Sequence, residues 1–346
     1  MYTLMIGNGF DLAHNLPTSY IDFMNFLEWC HYAENGNDTP AEKSFNKLDI
    51  KLRDYINNNF RNEEIITPHI KKLIKNSNEW YEYFDRVFNE GKDVGGNWVD
   101  FESLIAAVVK KIECQPDEQF GGIIDDAMRK EILYKVVFYG LVDNDYKIIR
   151  PLINEMRCEL DEFIKCLDEY IVLVEKMPID GQLSCIKDIV FDNVISFNYS
   201  NTYEAHYNAP KNKVIYIHGK AGEDEKKDIS NLVVGCEETL SKDNQDSDIR
   251  CGYFKKYFQR EIKNTGRGYR VCDQMKGGPD NFLYILGHSL DVNDGDIIKY
   301  LIENHKYVTI YYYNIDDFIK KVQNLVKILT KEGYEEQKGK INYKHM

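Results

Sequence analysis

Short apolar runs occur near the two ends of the chain, and amphipathic patterns fill the part between them. The first run, Tyr2 to Ile6, ends in Gly7-Asn8-Gly9, a pattern that predicts a strand followed by a tight turn. From residue 20 to about residue 183, apolar positions recur every three or four residues with charges between them, which predicts amphipathic helices. We expect these helices at 41–59, 67–89, 104–112, 126–142 and 150–176.

Continuous runs of β-branched and aromatic residues return after residue 187. Such runs are typical of parallel strands that are buried on both faces. Polar residues follow several of these runs, at the carboxyl edge of the sheet, which is where open α/β sheets bind ligands. We predict strands at 193–197, 213–217, 232–235, 282–286 and 307–313, with a helix at 315–330.

These patterns predict an α/β fold, in which a Rossmann-like parallel sheet carries a large α-helical insertion after its first βα unit. Residues 1–22 and 185–330 would form the nucleotide-binding domain, 23–184 the helical insertion, and 331–346 a polar, loosely held C-terminal tail. A chain of 346 residues is longer than one compact core usually requires, which agrees with a division into two parts.

Composition and charge exclude several classes of function. The chain has 44 basic and 57 acidic residues, a net charge of −13, so broad electrostatic binding of nucleic acid is not expected. No apolar run approaches the roughly 18 residues of a membrane-spanning helix. The N-terminal residues also show no basic segment with a cleavage site, so we expect a cytoplasmic protein without membrane contact. The eight cysteines are scattered and include no Cys-x-x-Cys pair, and no metal site is predicted.

The glycine turn after the first predicted strand is the first candidate for chemistry. Backbone N–H groups of Gly7 and Gly9 could approach a diphosphate at the start of a helix. The complete dinucleotide motif needs a third glycine, and Leu12 occupies that position. The spacing alone therefore leaves two alternatives open, a nucleotide-binding loop or an ordinary turn with Asp11 as a helix cap.

Three more polar groups follow predicted strands. Asn198 could orient a ribose hydroxyl or a water, or simply help the chain to leave the sheet. His218, beside Gly219, could act as a general base near neutral pH, although a histidine in this position is more often structural. Gly287-His288-Ser289-Leu290-Asp291 could offer N–H and hydroxyl groups to a phosphate or ribose, or cap a helix with Asp294 and Asp296 as dipole partners.

Two considerations narrow these alternatives. The segment at 287–291 lacks the second glycine of a hydrolase nucleophile elbow, which argues against a serine esterase. The four polar groups would all lie on the same edge of one sheet, a coincidence that four independent structural roles would not require. We therefore expect them to form one binding crevice.

Taken together, these residues resemble the motifs of the AbiH-type bacteriophage abortive-infection proteins, a resemblance that spans nearly the whole chain and implies a role in phage defence. The shared motifs appear in the same order and are Ile6-Gly-Asn-Gly-Phe-Asp-Leu-Ala-His14, Leu16-Pro-Thr-Ser-Tyr20, Trp98-x-Asp100-x-Glu102, Phe197-Asn198-Tyr199, His218-Gly219 and Gly287-His288-Ser289-Leu290-Asp291.

The order of the motifs is also similar, more distantly, to that of sirtuin-like NAD-binding domains. This similarity implies that NAD is a substrate or ligand rather than a permanently bound cofactor, and that its nicotinamide–ribose bond is hydrolysed. It implies that Asn198 holds ribose or water and that His218 is the base. The remaining NAD contacts that it implies are Gly7, Asn8, Gly9, Phe10 and Asp11 in the glycine loop, Thr18, Ser19 and Tyr20 in a covering loop, and Gly219, Gly287, Ser289 and Asp291.

Two departures from the sirtuin pattern argue against lysine deacylation. The cysteine spacing cannot supply the four-cysteine zinc module, and Asn8 replaces the small residue of the deacylase loop. Trp98, Asp100 and Glu102 are expected to anchor a helix of the insertion, with contact to the cleft as the alternative. The insertion itself is a natural place for regulation or for formation of a homo-oligomer.

Two other functions stay open at this stage. The same residues would serve a non-catalytic module that senses NAD, ADP-ribose or a related nucleotide. An RNA-directed toxin is the second alternative, which the acidic composition disfavours.

Overall fold

The computed structural model describes residues 1–60, 65–76, 78–89, 98–113, 146–207, 214–223, 229–236, 249–270 and 280–346. The chain divides into two compact units. The first, here called the sheet unit, comprises Met1–Thr18, Ile171–Glu223 and Lys263–Met346. The second, here called the helical unit, comprises Ser19–Tyr170 and Asp224–Ile262.

The described elements follow one another as helices and short parallel strands. The strands are β1 (Tyr2–Ile6), β2 (Asn193–Ser196), β3 (Val214–Tyr216), β4 (Phe282–Leu286), β5 (Tyr307–Tyr312) and β6 (Ile341–His345). The helices are α1 (Gly9–Ala13), α2 (Tyr20–Glu34), α3 (Asp38–Phe45), α4 (Ile50–Asn59), α5 (Pro68–Lys75), α6 (Glu79–Asn89), α7 (Trp98–Glu113), α8 (Tyr146–Val174), α9 (Thr202–His206), α10 (Lys256–Lys263), α11 (Gly295–Asn304) and α12 (Ile315–Gln337). The helix expected at 126–142 lies outside the described residues.

The six strands form one parallel sheet in the order β3-β2-β1-β4-β5-β6. This is the strand order of a doubly wound Rossmann sheet, in which the direction of winding reverses between β1 and β4. The predicted α/β, Rossmann-like fold is therefore confirmed. In such a sheet, the crevice for ligands lies beyond the carboxyl ends of the strands at the reversal point.

The strand sequences are nearly continuous apolar runs because both faces of the sheet are covered by other parts of the chain. Met5 and Ile285 are buried in one cluster, together with residues of α11 and α12. Their neighbours Leu4 and Leu286 are buried in the other, beside Phe10 of α1. Since β1 and β4 contribute alternate side chains to two cores, most of their buried positions are apolar.

The C-terminal residues do not form the loosely held tail that we expected. Thr330, whose φ is 64°, interrupts α12, and the helix then continues to Gln337. Ile341–His345 pairs with β5 as the edge strand of the sheet. Ile341 and Tyr343 pack against the core while Asn342 and Lys344 are exposed, so only alternate positions need to be apolar.

The apolar run at 232–235 is not a strand of the sheet. It belongs to the helical unit, where the side chain of Gln259 bonds to its backbone. Gln259 Nε2 donates to the Val234 carbonyl oxygen at 2.7 Å, and the Val234 N–H donates to Gln259 Oε1 at 3.0 Å. The amide of Gln259 thus takes the place of a neighbouring strand. The unit boundaries differ from the expected ones, since the sheet unit begins its second segment at Ile171 and the helical unit includes Asp224–Ile262.

Aromatic packing forms the core of the helical unit. The Phe101 ring lies 4.6 Å from Tyr20, 4.3 Å from Phe84 and 5.7 Å from Phe163, measured between ring centroids. Contacts of this geometry add to the free energy gained from burial. Among the described residues, no helix combines the length and the apolar character that crossing a membrane would require.

The loops that follow β1 and β4 pack backbone against backbone. A Cβ on Gly287 would lie 2.1 Å from the Phe10 nitrogen, and one on Gly9 would lie 2.9 Å from the Gly287 Cα. A Cβ on Gly7 would lie 2.7 Å from the His288 Cα. Gly287 also has a φ of 68°, in the left-handed region. The glycines in these motifs are therefore required by the fold itself.

We expect Gly287→Ala to lower the free energy of unfolding by about 2–5 kcal/mol, because it adds both backbone strain and a clash with Phe10. Gly36→Ala is the matched control, since Gly36 has a φ of 66° and no atom within 4 Å of the added Cβ. The control should lose only about 1 kcal/mol. Calorimetric melting curves of both variants test this, and equal losses would contradict the packing argument.

Candidate functional site

Four polar residues follow the ends of four neighbouring strands, at the same distance beyond the last paired row. Ile6 pairs with Ser196 and with Leu286, and Ser196 pairs with Tyr216, so these four residues form one row across the sheet. Two positions beyond the row stand Asn8, Asn198, His218 and His288. The structure thus brings the four sequence motifs to one edge, at the reversal point between β1 and β4.

The backbone N–H groups that we expected to bind a diphosphate are hydrogen-bonded within the protein. The Gly9 N–H donates to the Gly287 carbonyl at 2.8 Å, and the Gly7 N–H donates to the Leu286 carbonyl at 3.2 Å. The Phe10 N–H donates to Gly7 at 2.8 Å, and the Phe10 ring is buried in the core. Gly7, Gly9 and Phe10 therefore hold the loop against β4 in this structure.

Within the sheet unit, Thr18 of the expected covering loop contacts the side chain of Asn8 in the glycine loop. The Thr18 hydroxyl donates to Asn8 Oδ1 at 2.8 Å. Ser19 instead caps α2 of the helical unit, in a capping box with Asp22. Tyr20 is buried among the aromatic rings of that same unit.

Asp11 is a buried acid with one oxygen bonded and the other unpaired. Ser200 Oγ donates to Asp11 Oδ2 at 2.6 Å and lies 3.0 Å from Thr202 Oγ1. Asp11 Oδ1 has no hydrogen-bond partner among the described residues. Burial raises the pKa of Asp11 to about 6, although Ser200, Thr202 and the nearby amide of Asn198 act to lower it.

Asn198 is buried with its whole amide group unpaired. Its backbone is fixed by Ser196, whose hydroxyl donates to the Asn198 carbonyl and accepts from the Asn198 N–H, both at 3.2 Å. Its side-chain Oδ1 and Nδ2 have no hydrogen-bond partner in the part of the chain that the structure describes, and the residue is 4% exposed. The amide lies near enough to Asp11 to lower that pKa, but no hydrogen bond of normal geometry joins them.

Unpaired buried atoms are costly, and they usually mark a place where a ligand or water binds. Each unpaired buried polar group costs about 1–3 kcal/mol. Asp11 and Asn198 leave three such atoms close together. The fold therefore maintains an arrangement that lowers its own stability, which is typical of functional sites.

Asp294 lies between two histidines. Its Oδ1 is 3.1 Å from His218 Nε2, its Oδ2 is 3.7 Å from His288 Nε2, and all three side chains are buried. The Leu290 N–H donates to His288 Nδ1 at 2.9 Å. Neutral His288 consequently carries its proton on Nε2, facing Asp294. The Phe197 ring packs edge-on against both imidazoles, at 5.4 and 4.5 Å.

This position of Asp294 was not predicted. From the sequence, Asp294 was expected only as a dipole partner of a helix, because no local pattern shows that the chain turns back toward His218. Leu290, which adopts a φ of 55° that a non-glycine residue rarely has, lies in this turn. An acid shortly after the strand-end His288 is the signal that the sequence offered.

The other expected contacts are mostly structural here. The Asp291 carboxylate accepts from the Asn293 N–H at 3.1 Å and caps the turn at Val292–Asp294, so the helix-cap alternative holds for this residue. The Ser289 carbonyl accepts from Asn324 Nδ2 at 3.2 Å. Gly219 has a φ of 82°, which lets the chain turn directly after His218.

The accessory motif lies in the helical unit. Glu102 of α7 forms a buried ion pair with Lys256 of α10, with Oε1 and Nζ 2.8 Å apart. This contact joins α7 to α10 within the helical unit. The side chains of Trp98 and Asp100 lie outside what the structure describes. Within the described residues, no group of three or more histidines, cysteines and acids is arranged to hold a metal.

The model of one protein family, described as bacteriophage abortive infection AbiH, matches residues 3–315. No curated protein and no solved structure matches the chain. Since the match covers most of the 346 residues, the chain belongs to the AbiH family.

We expect Asp11→Asn to stabilise the protein at neutral pH. The pKa of Asp11 is raised from 3.8 to about 6, so the stability linked to this group is complete below 3.8 and is lost as the pH rises through 6. Asparagine does not titrate. The advantage of the variant in free energy of unfolding should therefore grow by about 1 kcal/mol between pH 5 and pH 8.

Urea unfolding at the two pH values measures this difference. Asp192→Asn is the control, because Asp192 accepts from the Tyr2 N–H at the opposite end of β1, on the surface. An advantage of Asp11→Asn that is the same at both pH values would contradict the assignment of a raised pKa.

Proposed function

As a member of the bacteriophage abortive infection AbiH family, the chain acts in phage defence, and we propose that it does so by hydrolysing the nicotinamide–ribose bond of NAD. NAD is the substrate in this proposal and not a permanently bound cofactor. The reaction would take place beyond the carboxyl ends of β1, β2, β3 and β4.

The observation that carries the proposal is the unpaired amide of Asn198. Its two polar atoms are buried at the carboxyl edge of the sheet, beside an unpaired oxygen of Asp11. A polar ligand that can both donate and accept hydrogen bonds would satisfy all of these atoms. The strand order supports a nucleotide as that ligand, because its reversal point is where Rossmann sheets bind nucleotides.

The reaction needs a base and a positioned water but no acid. The bond between C1′ of the ribose and the ring nitrogen breaks, and its electron pair stays on the nitrogen. Nicotinamide leaves neutral because it was a cationic pyridinium while bonded. Water then attacks the oxocarbenium-like C1′ and loses one proton.

Asn198 and His218 fit these two requirements. Asn198 would orient the ribose or the attacking water through its amide. The contact of His218 Nε2 with Asp294 favours a proton on that nitrogen, which leaves the lone pair of neutral His218 on Nδ1. Nδ1 would accept the proton from water, and Asp294 would stabilise the imidazolium that results.

Substitution of Asn198 and of His218 tests the roles proposed for them. We expect His218→Ala and Asn198→Ala each to lower the rate of nicotinamide release by roughly 100-fold or more, because a base or a positioned water is lost. His345→Ala and Asn342→Ala, both exposed on β6, are matched controls that should keep the parent rate. Chromatography of NAD incubated with each purified protein measures the release.

Two outcomes would reject the assignment. If His218→Ala protein released nicotinamide at the parent rate, the base would be another group. If the parent bound NAD without releasing nicotinamide, the chain would be a nucleotide sensor, which is the non-catalytic alternative.

Substitution of Asp294 tests whether this residue positions the imidazole of His218. Asp294→Asn should lower kcat by roughly 10²- to 10⁴-fold and change KM only a few-fold, because an amide cannot fix the proton on His218 Nε2 in the same way. The control is Asp296→Asn, an exposed acid in the first turn of α11. A rise in KM with an unchanged kcat would show that Asp294 contributes to binding instead.

A further inference from the structure

Asp11 and Asn198 present a defined set of hydrogen-bonding atoms. Asp11 Oδ1 is an acceptor, Asn198 Oδ1 is a second acceptor, and Asn198 Nδ2 carries two donor hydrogens. None of the three atoms has a hydrogen-bond partner among the described residues. Asp11 is 1% exposed and Asn198 is 4% exposed, so bulk water does not satisfy these atoms.

Most simple ligands do not match this set. A phosphate would bring its negative charge against the Asp11 carboxylate, in a buried place where repulsion is strong. A metal ion prefers several acceptors and would meet the donor hydrogens of Asn198 Nδ2. Among the described residues, no cluster of acids, histidines and cysteines completes such a site.

Two neighbouring hydroxyl groups do match the set. Each hydroxyl can donate one hydrogen and can accept another. One hydroxyl can donate to Asp11 Oδ1, the other can donate to Asn198 Oδ1, and Nδ2 can donate to either oxygen. An acidic residue that accepts from a ribose hydroxyl is a common means of nucleotide recognition in Rossmann folds.

We propose that Asp11 and Asn198 together bind the 2′ and 3′ hydroxyls of the ribose that carries nicotinamide. This inference rests on the proposed function. The substrate class is then a nucleotide whose terminal ribose has both hydroxyls free. Ser200 serves this clamp by donating to the other oxygen of Asp11, and Thr202 contacts the Ser200 hydroxyl, so that Oδ1 is left for the ligand.

This assignment differs from both alternatives that the sequence left open for Asp11. As a helix cap, its carboxylate would accept from a backbone N–H of α1, but no side-chain cap bond is present at the start of that helix. As a neighbour of the diphosphate, it would repel the ligand. A contact with uncharged hydroxyls avoids that repulsion.

Calorimetric titration with ADP-ribose and with ADP tests the clamp without requiring turnover. ADP lacks the second ribose, so the parent should bind ADP-ribose at least about 10-fold more tightly than ADP. ADP-ribose that lacks the 2′ hydroxyl on that ribose should bind the parent nearly as weakly as ADP. Asp11→Asn should keep the affinity for ADP and reduce the preference for ADP-ribose to within about two-fold, because a charged acceptor is lost.

Asp192→Asn, at the amino end of β1, is the control and should keep the full preference. The clamp is overturned if the parent does not prefer ADP-ribose, or if Asp11→Asn keeps the preference. The analogue without the 2′ hydroxyl needs no variant, so the test survives even if Asp11→Asn fails to fold.

Nicotinamide release from NAD, measured on the same proteins, separates the two proposals. A parent that prefers ADP-ribose but releases no nicotinamide would keep the clamp and reject NAD hydrolysis. A parent that hydrolyses NAD, with an unchanged KM in Asp11→Asn, would keep the function and reject the clamp.

Discussion

The contact between the loops that follow β1 and β4 is the constraint on which the site depends. The hydrogen bond from the Gly9 N–H to the Gly287 carbonyl joins two backbones that have no room for a side chain between them. This contact sets where α1 begins and therefore where Asp11 lies. It also sets where the chain enters the turn that carries His288 and Asp294. These glycines resemble a phosphate-binding motif, but in this structure they allow the two loops to pack closely against each other.

The sheet unit combines a well-satisfied framework with a few unsatisfied groups. Most buried strand positions are apolar, and the loops after β1 and β4 are joined by backbone hydrogen bonds. The unpaired atoms of Asp11 and Asn198 differ from other unpaired atoms of the unit, such as Thr3 Oγ1, because three of them lie close together at the carboxyl edge of the sheet. Natural proteins retain such costs mainly where binding or chemistry recovers them. The Asp294 carboxylate is a further buried polar group at this edge, and it lies between the Nε2 atoms of His218 and His288.

Local patterns were sufficient for five strands and for the shared edge. Apolar runs such as Tyr2–Ile6 identify buried strands, and parallel strands bring their carboxyl ends together whatever the rest of the chain does. The sequence did not show β6, because an edge strand needs apolar residues at alternate positions only. It also could not separate the run at 232–235 from a strand, since a glutamine far along the chain pairs with its backbone. The roles of Asp294 and Ser200 depend on contacts between distant segments, which no local spacing records.

The position of β1 in the sheet has a consequence for protein synthesis. β1 is made first, yet it lies between β2 and β4, which are paired to it through Asn193 and Phe282 and their neighbours. A nascent chain on the ribosome therefore cannot pair its first strand on both sides until the residues of β4 have been translated. Asp294, which follows β4, is the last residue of the site to be made. A translation product that ends before Asp294 consequently lacks the complete site.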